Sequence, residues 1–256
     1  MLDAQDKPSR SGIIEEERKV AAAPANDVFE ASSQARKEVP SKYTLRSHMD
    51  IVRGVQFVPS IDAMASVSED CTVKLWSFKN IDSIYSENDG NLEPYITLRG
   101  HTGPLFAVTG GHPKNNRMIF TAGSEGVIRV WNLPALNEVN AYGDTYDGRN
   151  YCIGQWVEAS GETFWDLRHH NYQQLLLTVN ASQQALVWST ADLDLELQDN
   201  PGRVLSRVSY AQASGVLPTS CTWIETNHNQ FAVSYQSGAL GLFDSSTSQL
   251  VSAFQT

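Results

Sequence analysis

The sequence is dominated by one segment that recurs four times at nearly constant spacing. Each copy has a run of apolar and β-branched residues, then a polar turn, then a second apolar run that closes on a large aromatic side chain. The closing residues are Trp76, Trp131, Trp188 and Phe243, so successive copies end 55, 57 and 55 residues apart. A constant period of this length indicates similar supersecondary units that stack side by side.

Within each copy the runs are short, rich in Val, Ile, Thr and aromatic residues, and bounded by Gly, Asp, Asn and Ser. Such runs predict β-strands joined by turns rather than helices. We therefore expect an all-β protein in which each copy is one four-stranded blade that buries its faces against its neighbours. The repeat region is predicted to span residues 42–256, with blades at about 47–98, 100–156, 159–207 and 216–254.

Two copies carry a set of polar residues that indicates a buried hydrogen-bonded chain. The set has a His before the first strand, a Ser or Thr on the second, an acid in the next turn and a Trp on the third. A desolvated imidazole or carboxylate is tolerated only when it has a partner, so these side chains are expected to contact one another. The first copy has His48, Ser66, Asp70 and Trp76, and the second has His101, Thr121, Glu125 and Trp131.

The later copies lose this set by degrees. The third keeps Thr178 and Trp188 but has Ser160 and Ser182 at the His and acid positions. The fourth has none of the set, and we expect apolar packing around Phe243 to take its place.

The set of four residues resembles the signature of WD repeats, whose blades form β-propellers. A WD unit has about 40–45 residues, and the excess here follows each tryptophan, in residues 77–94, 132–150 and 189–202. These polar stretches predict long surface loops between the third and fourth strands. The expected fold is a WD40-type β-propeller with four blades present, and the striatin resemblance of the next segments implies that they are part of a seven-bladed one.

Several segments are similar to striatin in particular. Residues 42–48 (KYTLRSH) and 65–76 (ASVSEDCTVKLW) resemble the opening of the striatin propeller, and residues 217–220 and 237–239 resemble its tryptophan-free repeat. The resemblance covers residues 42–256. It implies a scaffold that acts as a regulatory subunit of a type 2A protein phosphatase and gathers phosphatase and kinases into one signalling complex.

Residues 1–41 differ from the repeats, because they contain no Trp or Tyr and a single Phe. This composition cannot bury enough apolar area to offset chain entropy, so we expect a flexible linker with a short helix over residues 13–23. It holds no sustained heptads and no basic amphipathic helix. The coiled coil and the calmodulin-binding stretch of striatins are therefore not expected in these residues.

Net charge and cysteine usage argue against several classes of function. The net charge of −10, without a run of Lys and Arg, disfavours nucleic-acid binding. The three cysteines form no CxxC pair or Cys/His cluster, which argues against zinc and indicates a reducing compartment. Neither a signal peptide nor a long apolar run occurs, so we expect no transmembrane segment and a cytoplasmic location.

The sequence offers little support for catalysis. His48, Ser66 and Asp70 could form a hydrolase triad, but a repeated triad that faces a neighbouring blade has no substrate cleft. The pair His169 and His170 could suggest a metal site, but adjacent strand residues point to opposite faces. We expect a strand end in contact with solvent there. With no phosphate-binding loop or metalloprotease motif, neither a metal nor a cofactor is expected.

Protein partners are the expected ligands, and they are expected at the face where the first strand of each blade begins. One register places Arg53, Phe106, Trp165 and Thr219 near the mouth of the central channel. Arg and large aromatics are enriched at binding hot spots. The alternative is that Phe106 and Trp165 belong to the core between blades. A WD-repeat adaptor of another class, such as a ubiquitin-ligase substrate receptor, is the alternative to a striatin-type scaffold.

The sequence also bears on how the propeller closes. Residues 43–46 are predicted to be the outer strand of a final blade, and residues 250–254 the outer strand of the fourth. Four of seven blades would leave two apolar faces open, beyond the few hundred Å² that a soluble monomer exposes. We therefore expect a poorly soluble or oligomeric chain from a longer natural protein, with a compact four-bladed propeller as the alternative.

Overall fold

The computed structural model describes residues 43–79, 81–82, 92–112, 115–139, 148–194, 201–209 and 215–255. Within these ranges the chain forms sixteen β-strands in four antiparallel sheets of four strands each. The prediction of an all-β propeller with four blades is therefore confirmed. The linker and short helix predicted at residues 1–41, and parts of the three loops predicted after the tryptophans, lie outside the described residues.

Each sheet is built from four consecutive strands. The first contains β1 (Val52–Val58), β2 (Ala63–Ser68), β3 (Val73–Ser77) and β4 (Ile96–Leu98). The second contains β5 (Leu105–His112), β6 (Asn115–Gly123), β7 (Val127–Asn132) and β8 (Cys152–Val157). The third contains β9 (Phe164–His169), β10 (Leu175–Asn180), β11 (Gln184–Ser189) and β12 (Arg203–Ser209). The fourth contains β13 (Pro218–Trp223), β14 (Gln230–Tyr235), β15 (Ala239–Asp244) and β16 (Gln249–Gln255).

Short 3₁₀ turns lie in three of the connections, at Pro59–Ile61, Leu136–Glu138 and Gly148–Tyr151. The first begins on a proline, whose fixed φ suits the first position of a helical turn.

The first strand of each sheet lies innermost. Strand β1 contacts β5, β5 contacts β9, and β9 contacts β13. Strands β4, β8, β12 and β16 form the opposite edges of their sheets. The four inner strands thus run side by side, which brings their first residues together at one end and their last residues together at the other.

The core consists of three apolar clusters, each formed between two consecutive blades. Trp131 closes the second blade and packs into the cluster of the first. Trp188 closes the third and packs against the second, and Phe243 closes the fourth and packs against the third. All three side chains are almost fully buried. Burial of one large aromatic contributes roughly 1.5–3 kcal/mol, so each of these residues strengthens the apolar contact between its blade and the preceding one.

Apolar side chains are exposed on the first and fourth blades. On β1, Val55 is 55% and Phe57 is 60% exposed. On β16, Leu250 and Phe254 are also exposed. These side chains do not belong to the three clusters between blades.

Residues 43–46, predicted as the outer strand of a final blade, lie beside the first blade. Leu45 forms an isolated parallel bridge with Leu92. Leu92 is buried and lies just ahead of β4. In the structure this segment therefore borders the outer part of the first blade.

The first blade allows a matched comparison of an exposed and a buried valine. Val55 is exposed, whereas Val67 is fully buried in the first cluster. We expect Val67→Thr to lower the free energy of unfolding by about 1–3 kcal/mol, because it places a hydroxyl in the core. Val55→Thr should change it by less than about 0.5 kcal/mol. Urea denaturation measures both, and equal losses would contradict the placement of the core.

Candidate interaction surface

The predicted polar residues of the first blade form one hydrogen-bonded chain. His48 Nδ1 lies 2.8 Å from Asp70 Oδ2, and His48 Nε2 lies 2.7 Å from Ser66 Oγ. Trp76 Nε1 donates to the same Ser66 Oγ at 2.8 Å. Since a carboxylate only accepts, the imidazole donates from Nδ1 to Asp70. The chain joins the entry to β1 with β2 and β3.

Asp70 is the most heavily bonded member of this chain. It also accepts from the Met49 N–H at 3.0 Å, the Thr72 N–H at 3.0 Å and the Thr72 hydroxyl at 2.6 Å. Burial alone would raise the pKa of Asp70, but the hydrogen bonds from Thr72, Met49 and His48 outweigh it and lower the pKa to about 2. The carboxylate therefore remains charged and ties the turn after β2 to the residues before β1.

The second blade repeats the chain with a longer acid. His101 Nδ1 bonds Glu125, His101 Nε2 lies 2.7 Å from Thr121 Oγ1, and Trp131 Nε1 donates to Thr121 Oγ1 at 2.8 Å. Arg129 Nε lies 3.6 Å from Glu125. Burial would raise the pKa of Glu125, but hydrogen bonds from His101 and Thr102 lower it to about 2. Burial lowers the pKa of His101.

The third blade keeps one bond of the chain and gains a different polar cluster. Trp188 Nε1 donates to Thr178 Oγ1 at 3.0 Å. Ser160, at the His position, donates to Glu158, which also pairs with Arg207 of β12. The sequence gives no signal for this cluster, because Glu158 and Arg207 are 49 residues apart and neither belongs to the repeated pattern.

The fourth blade lacks both partners of the hydrogen bond between tryptophan and hydroxyl that the first three blades share. In the other blades the tryptophan donates to a hydroxyl ten residues earlier. Here Phe243 replaces the tryptophan, and Val233 stands ten residues before it. Phe243 stacks on Phe231 with ring centroids 5.6 Å apart. Replacing donor and acceptor together leaves no unpaired polar group, so the blade keeps its packing without the hydrogen bond.

The four residues predicted at the channel mouth line one depression. Arg53, Phe106, Trp165 and Thr219 are each the second residue of an inner strand. They border a cavity of about 570 Å³, which we call the channel mouth. The sequence did not single out the other residues that line it, which are Glu69, Pro104, Leu217, Pro218 and Gln236. Of these, Pro104, Leu217 and Pro218 extend its apolar surface.

Two of the residues that line the channel mouth are aromatic and contact each other. Phe106 and Trp165 stack with centroids 5.5 Å apart and planes 17° apart. Phe106 is half-buried and Trp165 is 37% exposed, and neither belongs to the three apolar clusters between blades. At the rim, Arg53 Nε donates to Glu69 Oε1 at 2.6 Å, and Thr219 Oγ1 lies 2.9 Å from Ser234 Oγ.

The two adjacent histidines are buried, and the expectation of a strand end in contact with solvent is wrong. His169 and His170 are 5% and 2% exposed. His169 faces His112, with centroids 5.2 Å apart, whereas His170 contacts Trp223 at 4.9 Å. The two rings thus contact different neighbours, although both residues border one depression. Among the described residues, no three His, Cys, Asp or Glu side chains are grouped to hold a metal.

Two further observations concern the chain as a whole. Cys71, Cys152 and Cys221 form no disulfide. No helix among the described residues has both the length and the apolar character needed to cross a membrane.

Comparison with known proteins agrees with the repeated blades. The family model "WD domain, G-beta repeat" matches residues 40–77 and 92–132. The chain is 30% identical to a striatin homolog of Dictyostelium discoideum over 217 residues, 82% of this chain and 25% of the relative. It is 30% identical to striatin-3 of Mus musculus over 216 residues, 84% and 25% of the two chains. It is 28% identical to striatin-4 of Homo sapiens over 219 residues, which are 85% of this chain and 27% of the relative.

The blades, the hydrogen-bonded chains and the matched repeats define a WD-repeat β-propeller. The aligned region belongs more specifically to the striatin family, as the resemblance of residues 42–48 and 65–76 indicated. The chain spans about a quarter of the length of these relatives.

The hydrogen-bonded chain of the first blade can be tested against the third blade. Asp70→Ala removes an acceptor that serves His48, Met49 and Thr72. We expect it to lower the free energy of unfolding by about 1–3 kcal/mol, because buried donors lose their partner. Ser182→Ala, at the corresponding position, should be nearly neutral, because Ser182 bonds only Asn180 among the described contacts. Thermal unfolding measures both, and similar losses would refute the assignment.

The lowered pKa of Glu125 predicts a loss of stability in acid. Its folded-state pKa of about 2 lies below the ordinary glutamate pKa of 4.5, so the unfolded chain binds more protons between these values. The stability from the ionised form is complete above about pH 5 and is lost as the pH falls toward 2. Glu125→Gln should flatten this part of the profile, measured by denaturation at successive pH values. An unchanged slope would contradict the prediction.

Proposed function

We propose that this chain is a non-enzymatic protein-interaction scaffold of the cytoplasm that binds partners at the channel mouth. The observation that carries the proposal is the stacked pair Phe106 and Trp165, which stays open to solvent in the middle of a concave surface. A rigid aromatic pair that remains exposed is typical of a binding hot spot. The unpaired cysteines support the cytoplasmic location.

The lining of the channel mouth favours a peptide segment that inserts an apolar side chain. Pro104, Leu217 and Pro218 extend the apolar area beside the two rings. Arg53 and Glu69 neutralise each other at the rim, so the surface has no strong charge of either sign. An apolar centre with a paired polar rim binds through burial and shape, and the ion pair sets orientation more than affinity.

The hydrogen-bonded chains support a structural role rather than a catalytic one. Ser66 is 4% exposed, and its hydroxyl also accepts the indole N–H of Trp76. A nucleophile must reach a substrate and give up its proton to a base. Ser66 is enclosed by the blade and already hydrogen-bonded to His48 and Trp76. The geometry therefore favours a role in stabilising the blade.

By resemblance to striatins, we propose that the partners are components of a type 2A protein phosphatase and kinase assembly. The 30% identity over most of this chain supports the proposal. The channel mouth supplies a surface through which the aligned region can contribute to such an assembly.

Truncation of the aromatic pair tests this proposal. We expect Trp165→Ala to reduce capture of partners at least tenfold, since hot-spot aromatics cost about 2 kcal/mol or more. Leu205→Ala on β12 is the matched control, because it removes an exposed apolar side chain outside the channel mouth. Tagged chains are purified from cells and probed for phosphatase scaffold, catalytic and kinase subunits.

Two outcomes would overturn parts of the proposal. Undiminished capture by folded Trp165→Ala and Arg53→Glu variants would rule out the channel mouth as the binding surface. Recovery of cullin adaptors in place of phosphatase subunits would replace the phosphatase assembly with a ubiquitin-ligase receptor role.

A further inference from the structure

The channel mouth holds an indole N–H that differs from the other indoles of the protein. Four tryptophans donate to a hydroxyl or a carbonyl oxygen, namely Trp76, Trp131, Trp188 and Trp223. The indole N–H of Trp165, in contrast, has no acceptor among the described contacts. Trp165 is 37% exposed and lines the cavity. Its N–H is therefore a candidate donor to a bound partner.

Arg53 contributes further donors to the same cavity. Its Nε donates to Glu69 Oε1 at 2.6 Å, and its Nη2 contacts the same oxygen. Its Nη1 has no partner among the described contacts, and the side chain is 47% exposed. Because Glu69 already neutralises the guanidinium, the remaining N–H groups favour a neutral acceptor, such as a peptide carbonyl, over a carboxylate.

The aromatic pair provides a flat apolar surface beside these donors. The rings of Phe106 and Trp165 have centroids 5.5 Å apart and planes 17° apart. At an ordinary contact distance of about 3.5–4.0 Å between planes, the rings are offset by about 4 Å, so neither covers the other completely. Pro104, Leu217 and Pro218 line the same cavity. Such a surface favours a rigid apolar ring, because a long flexible side chain would lose rotamer freedom on binding.

The unpaired donors distinguish among the backbone conformations that a bound segment could adopt. An α-helix pairs its carbonyls with its own N–H groups. A polyproline II helix has no internal hydrogen bonds, so all its carbonyls remain free to accept. Proline also lacks an N–H, so a run of prolines presents acceptors without any backbone donor. A cavity with apolar walls and unpaired donors is therefore complementary to a proline-rich segment.

We propose that the channel mouth binds a proline-rich segment of a partner protein in the polyproline II conformation. The prolines pack on Phe106 and Trp165, and backbone carbonyls accept from Trp165 Nε1 and Arg53. This inference rests on the proposed function, because it names the kind of segment that the channel mouth takes. A polyproline II helix is largely formed before binding, so little entropy is lost when it docks on an aromatic surface.

Titration of the full chain with capped octaproline tests the proposal. The indole N–H signal of Trp165 is followed by NMR and is identified by its absence from a Trp165→Phe chain. We expect a saturable shift of this signal, with a Kd at least tenfold below that of an alternating leucine–serine octapeptide, which is apolar but does not prefer polyproline II. Equal or tighter binding of the leucine–serine peptide, or no binding of octaproline, overturns the proposal.

A mirror-image peptide tests recognition of the backbone. Octaproline made of D-proline has the same composition and apolar area but forms a helix of the opposite hand. Its carbonyls cannot meet both donors while its rings pack on the aromatic pair, so we expect binding at least tenfold weaker. Equal affinity of the two mirror images would mean that the rings alone bind prolines, and would overturn the proposal.

Two variants separate the donors from the apolar surface, with binding measured by calorimetric titration. Trp165→Phe keeps an aromatic ring beside Phe106 but removes the N–H, and should weaken octaproline binding at least fivefold. Arg53→Met combined with Glu69→Gln keeps the rim uncharged and should weaken it at least threefold. Leu205→Ala is the matched control and should leave binding unchanged. Undiminished binding by a Trp165→Phe chain with an unchanged unfolding midpoint contradicts the proposal.

The result is distinguishable from the capture of partners from cells. If Trp165→Ala loses its cellular partners while octaproline does not bind the unmodified chain, the channel mouth remains the binding surface and the proline-rich ligand is wrong. If octaproline binds as expected while Trp165→Ala captures every partner, the ligand class stands and the proposed route to those partners fails.

Discussion

The first three blades depend on one hydrogen bond each, from the indole nitrogen of the closing tryptophan to a hydroxyl ten residues earlier. The bond measures 2.8, 2.8 and 3.0 Å in successive blades. It ties the third strand to the second. In the second and third blades the same indole packs in the apolar cluster shared with the preceding blade. The same residue thus satisfies a buried polar group and supplies the apolar contact between blades.

The blades differ in which buried polar groups need a hydrogen-bond partner. The first two extend the bond into a chain that ends on a carboxylate, and in the second blade this carboxylate also lies 3.6 Å from Arg129 Nε. The third keeps the bond and places Glu158 elsewhere, where Ser160 and Arg207 hold it. The fourth removes both partners. Each indole thus has a hydroxyl acceptor, and the phenyl ring of the fourth blade, which has no N–H to donate, faces a position without a hydroxyl. No buried polar group is left unpaired at this position, which is why a degraded repeat still packs.

Structural features that recur in every blade could be predicted from the sequence, whereas features found in a single blade could not. Spacing alone located the four closing aromatics, and a common register located Arg53, Phe106, Trp165 and Thr219. Burial of His170 could not be inferred, because the ring that covers it, Trp223, belongs to the next blade. The ion pair of Glu158 and Arg207 was not predicted for a similar reason. Glu158 follows β8 of the second blade and Arg207 lies on β12 of the third, so the two meet only in the folded protein.

Alternation along β5 and β9 separates residues of the core from residues that face the channel mouth. Leu105 and Phe164 are fully buried, and the residues directly after them, Phe106 and Trp165, face the cavity. Successive strand residues point to opposite faces, so a substitution at the second position leaves its buried neighbour in place. Phe106 and Trp165 can therefore differ among related propellers while Leu105 and Phe164 keep their places in the apolar clusters between blades.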